Sequence, residues 1–272
     1  MNENNVCPLC ESTKSRDFVK EVVQDVEYLV VKCKKCGLVY TLSSQCKDNN
    51  KTGKSKVSLT SQRESQYTKE LQGVLVYLKN FYRKDVILLD VGCSDGLFLD
   101  MARNFGYKTE GIEIDEAAAK KVKAKGHRII VGDIVKIRLT EDHTDAIVMF
   151  HTLEHLKNLL FVVNKIRSAL KKDGITVVEV PNLWHWLLQR KFFTKRSLAP
   201  ERHLYHFTPQ TLRLLLENAG FKILKMGPAN RYDKKGLLNK VLHFIVRIFS
   251  IYLFSFSGLV LSNSLRVYAR KT

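Results

Sequence analysis

The stretch VILLDVGCSDGLFLDMA constrains the fold of this chain more than any other. Val86–Val91 is an apolar run with a single acid, Asp90, near its end. A segment apolar on both faces suits a strand buried on both sides of a parallel sheet. Gly92-Cys93-Ser94-Asp95-Gly96 then turns the chain, and Leu97–Phe105 reads as a helix. Glycine allows positive φ and lets a ligand approach the backbone. A strand, a glycine turn and a helix in this order place a ligand crevice at the strand's carboxyl end.

Beyond that helix, strand-like and helix-like segments alternate. Thr109–Ile114, Arg128–Val131, Ala146–Phe150 and Ile175–Val180 read as further strands. Glu116–Lys125 and Leu156–Leu170 read as helices, and another precedes the first strand at about Tyr67–Tyr82. Thr208-Pro209 reads as a helix start, with a run to about Ala219 closed by Gly220. Phe221–Lys225 and Leu265–Ala269 are the last strands, and the apolar segment 237–261 between them reads as helical. This order implies an α/β protein with a doubly wound, mostly parallel, seven-stranded Rossmann-like sheet.

Glu113 ends the second strand, 17 residues after Gly96, where a carboxylate can accept both hydroxyls of a ribose. Asp133 ends the third and could contact an adenine. Ser94 stands where G-x-G-x-x-G has its second glycine, so the dinucleotide pattern is not met. The stretch instead resembles the first motif of class I S-adenosylmethionine-dependent methyltransferases, D-x-G-x-G-x-G with an acid closing the next strand. That resemblance implies an S-adenosylmethionine site at Asp90, Gly92, Gly96, Glu113 and Asp133, with Cys93, Ser94, Ile114, Ile134 and His151 beside them. Phe150-His151-Thr152-Leu153-Glu154-His155-Leu156 and Arg202-His203-Leu204-Tyr205-His206-Phe207-Thr208-Pro209 are similar to segments of the ubiquinone-biosynthesis methyltransferases and of bacterial sugar and natural-product enzymes. The resemblance covers about residues 65–230.

Methyl transfer needs an aligned nucleophile and often a proton acceptor. His151, Glu154 and His155 follow the fourth strand, at a spacing that shares one face of a helix. Three readings stand: His151 or His155 as general base, all three as divalent-metal ligands, or Glu154 and His155 as scaffold. His203, Tyr205 and His206 fall in a loop that, in similar enzymes, lies over the acceptor. Trp184 and Trp186 could line the same pocket.

Cys7-x2-Cys10 and Cys33-x2-Cys36, 22 residues apart, present four thiolates at the spacing of a zinc ribbon. Gly37 follows the second pair, where a tight knuckle needs positive φ. Four ligands close the metal's coordination, so the expected role is structural. MNENNVCPLC lacks the apolar core of a secretory signal, and 248–264 is too short and interrupted to span a bilayer. The expectation is a cytoplasmic protein with reduced cysteines.

Charge is unevenly placed. The chain carries net +18, of which +13 falls in residues 183–272. Lys191, Lys195, Arg196 and Arg202 cluster in the acceptor lid at about 182–207. Arg231, Lys234, Lys235 and Lys240 precede the apolar segment. A basic flank before an apolar helix suits an anionic surface, here the inner membrane face, through residues 231–261, or a homodimer contact. Nucleic acid is less well supported, because the basic residues interleave with aliphatics instead of stacking aromatics. The expected layout is a zinc ribbon at 1–45, a linker at 46–66 and a methyltransferase domain at 67–272. The expected activity is methyl transfer to a small-molecule or glycan acceptor, such as a phosphorylated sugar or lipid-linked intermediate. The alternatives are an RNA methyltransferase docked through its ribbon and a non-catalytic adaptor at a membrane.

Overall fold

The computed structural model describes residues 6–42, 68, 71–74, 76–77, 85–192, 197–229 and 262–272. The helix expected at 237–261, with Arg231, Lys234, Lys235, Lys240, Lys195 and Arg196, lies outside them.

Two sheets form. The larger has seven strands: β4 (Ile87–Val91), β5 (Lys108–Glu113), β6 (Arg128–Val131), β7 (Thr144–Phe150), β8 (Leu170–Pro181), β10 (Phe221–Ala229) and β11 (Ser264–Lys271). Their order across the sheet is β10-β11-β8-β7-β4-β5-β6. Pairings among β4 to β8 are parallel, and β11 joins β8 and β10 antiparallel. The chain leaves β4 toward β5 and β6, then returns on its other side as β7 and β8. That reversal opens a crevice at the carboxyl ends of β4 and β7.

Side-chain alternation gives this sheet two buried faces. Leu88, Ala146, Val148, Ile175 and Val177 pack on one side, over α1 (Leu97–Asn104) and α2 (Glu116–Ala124). Leu71 and Val74, from the helical residues before β4, are fully buried on that side. Leu89, Ile147, Met149, Val178 and Val180 pack on the other, over α3 (Leu159–Ala169) and α5 (Pro209–Asn218), and α4 (Leu183–Phe192) follows β8. α5 begins as its sequence predicts, with the Thr208 side chain accepting from the Thr211 amide and Pro209 in the first turn.

The helix expected over Leu156–Leu170 forms, but it is shorter at both ends and is preceded by a separate turn. A 3-10 turn covers Leu153–His155, and α3 starts only at Leu159. Asn158 between them sits at φ +55, which breaks helical continuity. Leu170 already belongs to β8.

The smaller sheet has the order β1-β2-β3-β9. β1 (Ser15–Val23) and β2 (Val26–Cys33) form a hairpin, and β3 (Val39–Thr41) lies beside β2. β9 (Tyr205–His206) comes from the segment before α5 and pairs antiparallel with β3. The cysteine-bearing sheet is therefore completed by a strand from far along the chain. The same core encloses Leu9, Leu38 and Tyr40 from this sheet with Leu204, Phe207 and Leu212.

Candidate active site

The β4 turn has the expected backbone. Gly92 and Gly96 sit at φ +81 and +75. A Cβ on Gly92 would lie 2.5 Å from Thr152 Oγ1, so the position is closed to any other residue. Ser94, in place of the middle glycine, adopts φ +52. Its amide donates to Glu113 Oε2 at 2.7 Å, and the Asp115 amide donates to Oε1 at 2.9 Å. Glu113 thus tethers the turn to β5. Each carboxylate oxygen keeps acceptor capacity after one bond, which leaves room for ribose hydroxyls. Asp90 is buried at the end of β4, and Ile114 is 40% exposed beside Glu113. Asp133 follows β6 and accepts from the Val135 amide at 2.9 Å, and Ile134 is core. Cys93 is also buried, packed toward Gly111, so its contribution to the crevice is backbone. The structure thus places Asp90, Gly92, Ser94, Gly96, Glu113 and Asp133 at the ends of β4, β5 and β6.

His151 follows β7 with φ +53. Its Nε2 lies 3.0 Å from Glu179 Oε1 and its Nδ1 3.3 Å from Glu154 Oε1. Glu179 is fully buried in β8 and also accepts from Arg266 Nε at 3.1 Å. Burial opposes charge on His151, but the two carboxylates outweigh it and raise its pKa to about 9. At neutral pH His151 is therefore an imidazolium with both nitrogens facing carboxylates, a poor proton acceptor. Neither Glu179 nor Arg266 is among the site residues that motif and spacing suggest. The available signal is a lone acid inside the apolar run ITVVEVP, since an acid is almost never buried unless paired.

The histidines of the lid face inward. His203 Nδ1 meets the Leu198 carbonyl at 3.1 Å, and His206 Nε2 lies 3.3 Å from Thr41 Oγ1 in β3. Tyr205 and His206 are buried against the cysteine-bearing sheet. Trp186 likewise packs on that sheet, with Val30 and Val39, and its ring is 6.1 Å from Phe18. A groove of about 680 Å³ runs between this sheet and the start of α3, lined in part by Pro8, Tyr40, Asn158, Phe161 and Leu204.

Burial holds the His206 ring neutral, its pKa lowered to about 3. In the unfolded chain the ring protonates below about pH 6.5. Stability is thus lost as pH falls from there toward 3. Between pH 7 and 5 this one group costs about 2 kcal/mol. His206→Gln is expected to flatten the fall by that amount in urea titrations, and equal slopes would contradict the assignment.

Cys7, Cys10, Cys33 and Cys36 bring their sulfurs within 4.8 Å of one another. The pairs Cys7–Cys36 and Cys10–Cys33 lie at 3.5 and 3.6 Å. A tetrahedral zinc with bonds of about 2.3 Å sets its sulfurs about 3.8 Å apart, so the donor set fits zinc. Amides of Lys35 and Cys36 donate to Cys33 Sγ, and Gly37 takes φ +79 as the knuckle requires.

A glycine turn at the switch point of a seven-stranded sheet, faced by an acid from the next strand, defines a Rossmann-like nucleotide-cofactor domain of the methyltransferase class. The chain belongs to the methyltransferase domain family, whose model matches residues 59–226. A Mycolicibacterium smegmatis protein named as a probable S-adenosylmethionine-dependent methyltransferase is 26% identical over 140 residues, which are 50% of this chain and 52% of that protein. The chain thus spans about half the length of that relative. The crystal structure of an S-adenosylmethionine-dependent methyltransferase from Archaeoglobus fulgidus superposes with a TM-score of 0.54 at 22% identity, over 76% of this chain and 94% of the other. That of Burkholderia thailandensis 1,6-didemethyltoxoflavin-N1-methyltransferase, which holds S-adenosylhomocysteine, gives 0.52 at 15%, over 77% and 79%.

Proposed function

We propose that the chain transfers a methyl group from S-adenosylmethionine to a small-molecule acceptor, a phosphorylated sugar, glycan or lipid-linked intermediate. The observation that carries the reading is the β4 turn, with Gly92 and Gly96 in left-handed backbone and the Glu113 carboxylate bound to the Ser94 amide. In this reading Glu113 accepts from ribose hydroxyls, the exposed Ile114 side chain and Asp133 take the adenine, and Gly92 and Gly96 admit the rest to the backbone. When bound, the cofactor supplies a methyl activated on a sulfonium, open to in-line displacement. His151, locked between Glu154 and Glu179, acts as a positioning residue at the mouth of β7. The net +13 of residues 183–272 supports an anionic acceptor or an anionic membrane surface. No helix among the described residues is long and apolar enough to cross a membrane.

The test of acceptor class incubates the zinc-loaded protein with methyl-labelled cofactor and cell extract divided into RNA, lipid, glycan and small-molecule fractions. Label is expected in a small-molecule, glycan or lipid fraction, whereas label confined to RNA would overturn the acceptor assignment. Glu113→Ala is expected to weaken cofactor binding by about 1–3 kcal/mol, because ribose hydroxyls lose their acceptor. Calorimetry giving the wild-type affinity for this variant would contradict the role given to Glu113.

A further inference from the structure

We infer that Glu154, His155 and His203 form a binding site for one divalent transition-metal ion, distinct from the four cysteines. Their ligand atoms lie within 4.8 Å of one another. Glu154 and His155 belong to the 3-10 turn after β7, and His203 comes from the segment that leads into β9. The histidine rings stand edge to face with centroids 4.9 Å apart.

Hydrogen bonding fixes which nitrogens are available. His155 Nδ1 lies 2.9 Å from the Arg202 carbonyl, and His203 Nδ1 lies 3.1 Å from the Leu198 carbonyl. A carbonyl only accepts, so both Nδ1 atoms carry the proton and donate. In the neutral rings both Nε2 atoms are then lone pairs. Backbone carbonyls orienting the far nitrogen in this way are the usual support of metal-bound histidine.

The third group is Glu154, whose residue is 0% exposed. Its Oε2 has no hydrogen-bond partner among the described residues. His151 Nδ1 makes an ion-pair contact with Oε1 at 3.3 Å, and His155 Nε2 stands 4.0 Å from the same oxygen. Among the described residues Oε2 has no such contact. A buried carboxylate oxygen without a partner is costly, and so are unpaired imidazole nitrogens beside it. One cation satisfies all three. His151 is not a ligand, because both its nitrogens face carboxylates, Nε2 on Glu179 and Nδ1 on Glu154, which leaves no lone pair for an ion.

Two imidazoles and one carboxylate suit zinc and its neighbours in the first transition series better than magnesium or calcium. A shared tetrahedral ion draws such ligands to about 3.4 Å, and His155 Nε2 already stands 4.0 Å from Glu154 Oε1. The His155 side chain is 37% exposed, so an external ligand can reach the remaining coordination position. The ion ties the turn after β7 to the segment that completes the cysteine-bearing sheet. The Leu204 amide, bound to the Glu154 carbonyl at 2.8 Å, already makes the same junction.

The full chain, equilibrated with buffered zinc and then desalted, tests this by metal analysis. About two zinc ions per chain are expected in the wild type, and about one in Glu154→Gln and in His155→Ala. His155 is the partly exposed member, so its variant keeps the test valid if Glu154→Gln misfolds. Cobalt added to protein with zinc already in the cysteine cluster is expected to give visible d–d bands without thiolate charge transfer, lost in His155→Ala. One zinc per chain in the wild type with all four cysteines intact overturns the site. So do two zinc ions, or persistent cobalt bands, in His155→Ala.

Discussion

Glu179→Gln is expected to destabilise the protein by about 3–5 kcal/mol, the cost of stripping one partner from a buried ion pair. Glu179 is 0% exposed in β8, between Val178 and Val180, and it serves two cations. Its Oε1 lies 3.0 Å from His151 Nε2, and its Oε2 accepts from Arg266 Nε and Nη2. Arg266 is 12% exposed on β11, so the charge left behind cannot turn to water. Burial works against the Glu179 carboxylate, but His151 and Arg266 prevail and bring its pKa down to about 2. A folded-state pKa below the unfolded one means that the stabilisation is present above about pH 4.5 and is lost as pH falls toward 2. Urea unfolding at pH 7 measures the loss. The double variant Glu179→Leu with Arg266→Met should recover part of it, since two removed charges leave less uncompensated than one. A single-variant loss under about 1 kcal/mol would show that the ion pair does not hold β8 to β11 and the turn after β7.

Removing metal from the cysteine cluster is expected to have the larger structural reach. Zinc in such a four-thiolate site contributes about 10–16 kcal/mol of binding, which becomes folding free energy where no site exists in the unfolded chain. The β1-β2-β3 segment is small, and its two knuckles meet at Cys7, Cys10, Cys33 and Cys36. Its last strand is β9, bonded to β3 at Val39↔His206 and Tyr40↔Tyr205. The Thr41 hydroxyl also donates to the His203 carbonyl at 3.0 Å. Cys33→Ser is thus expected to expose residues 6–42 and, with them, residues 197–207. Amide hydrogen exchange reads both segments separately. Fast exchange in 6–42 with full protection at 204–207 would contradict the coupling.

The sequence carries the local part of this architecture well. Gly92, Gly96 and Glu113 fall within a single strand–turn–helix–strand unit, where residue type and spacing dictate backbone conformation directly. The two C-x2-C pairs are equally local, and so is the Thr208 cap of α5. The α/β alternation is legible because the central strands β4, β7 and β8 carry the apolar runs ILL, AIVMF and ITVV.

What the sequence hides is pairing at a distance. β9 has two residues, too few for any periodicity, and its partner β3 lies over 160 positions earlier. The His151–Glu179–Arg266 relay joins residues 28 and 87 positions apart. The spacing of His151, Glu154 and His155 suggests one helical face. The positive φ of His151 and Asn158 and a short 3-10 turn replace that helix; His151 still reaches Glu154, and His203 joins Glu154 and His155 from far along the chain.

Isothermal calorimetry of the zinc-loaded chain with S-adenosylmethionine and with S-adenosylhomocysteine tests the proposed function most directly. Saturable one-site binding of both is expected, abolished or strongly weakened when Gly92 is replaced by valine, whose side chain would collide with Thr152. A folded protein that gives no binding heat with either ligand, or that binds equally well as Gly92→Val, would contradict it.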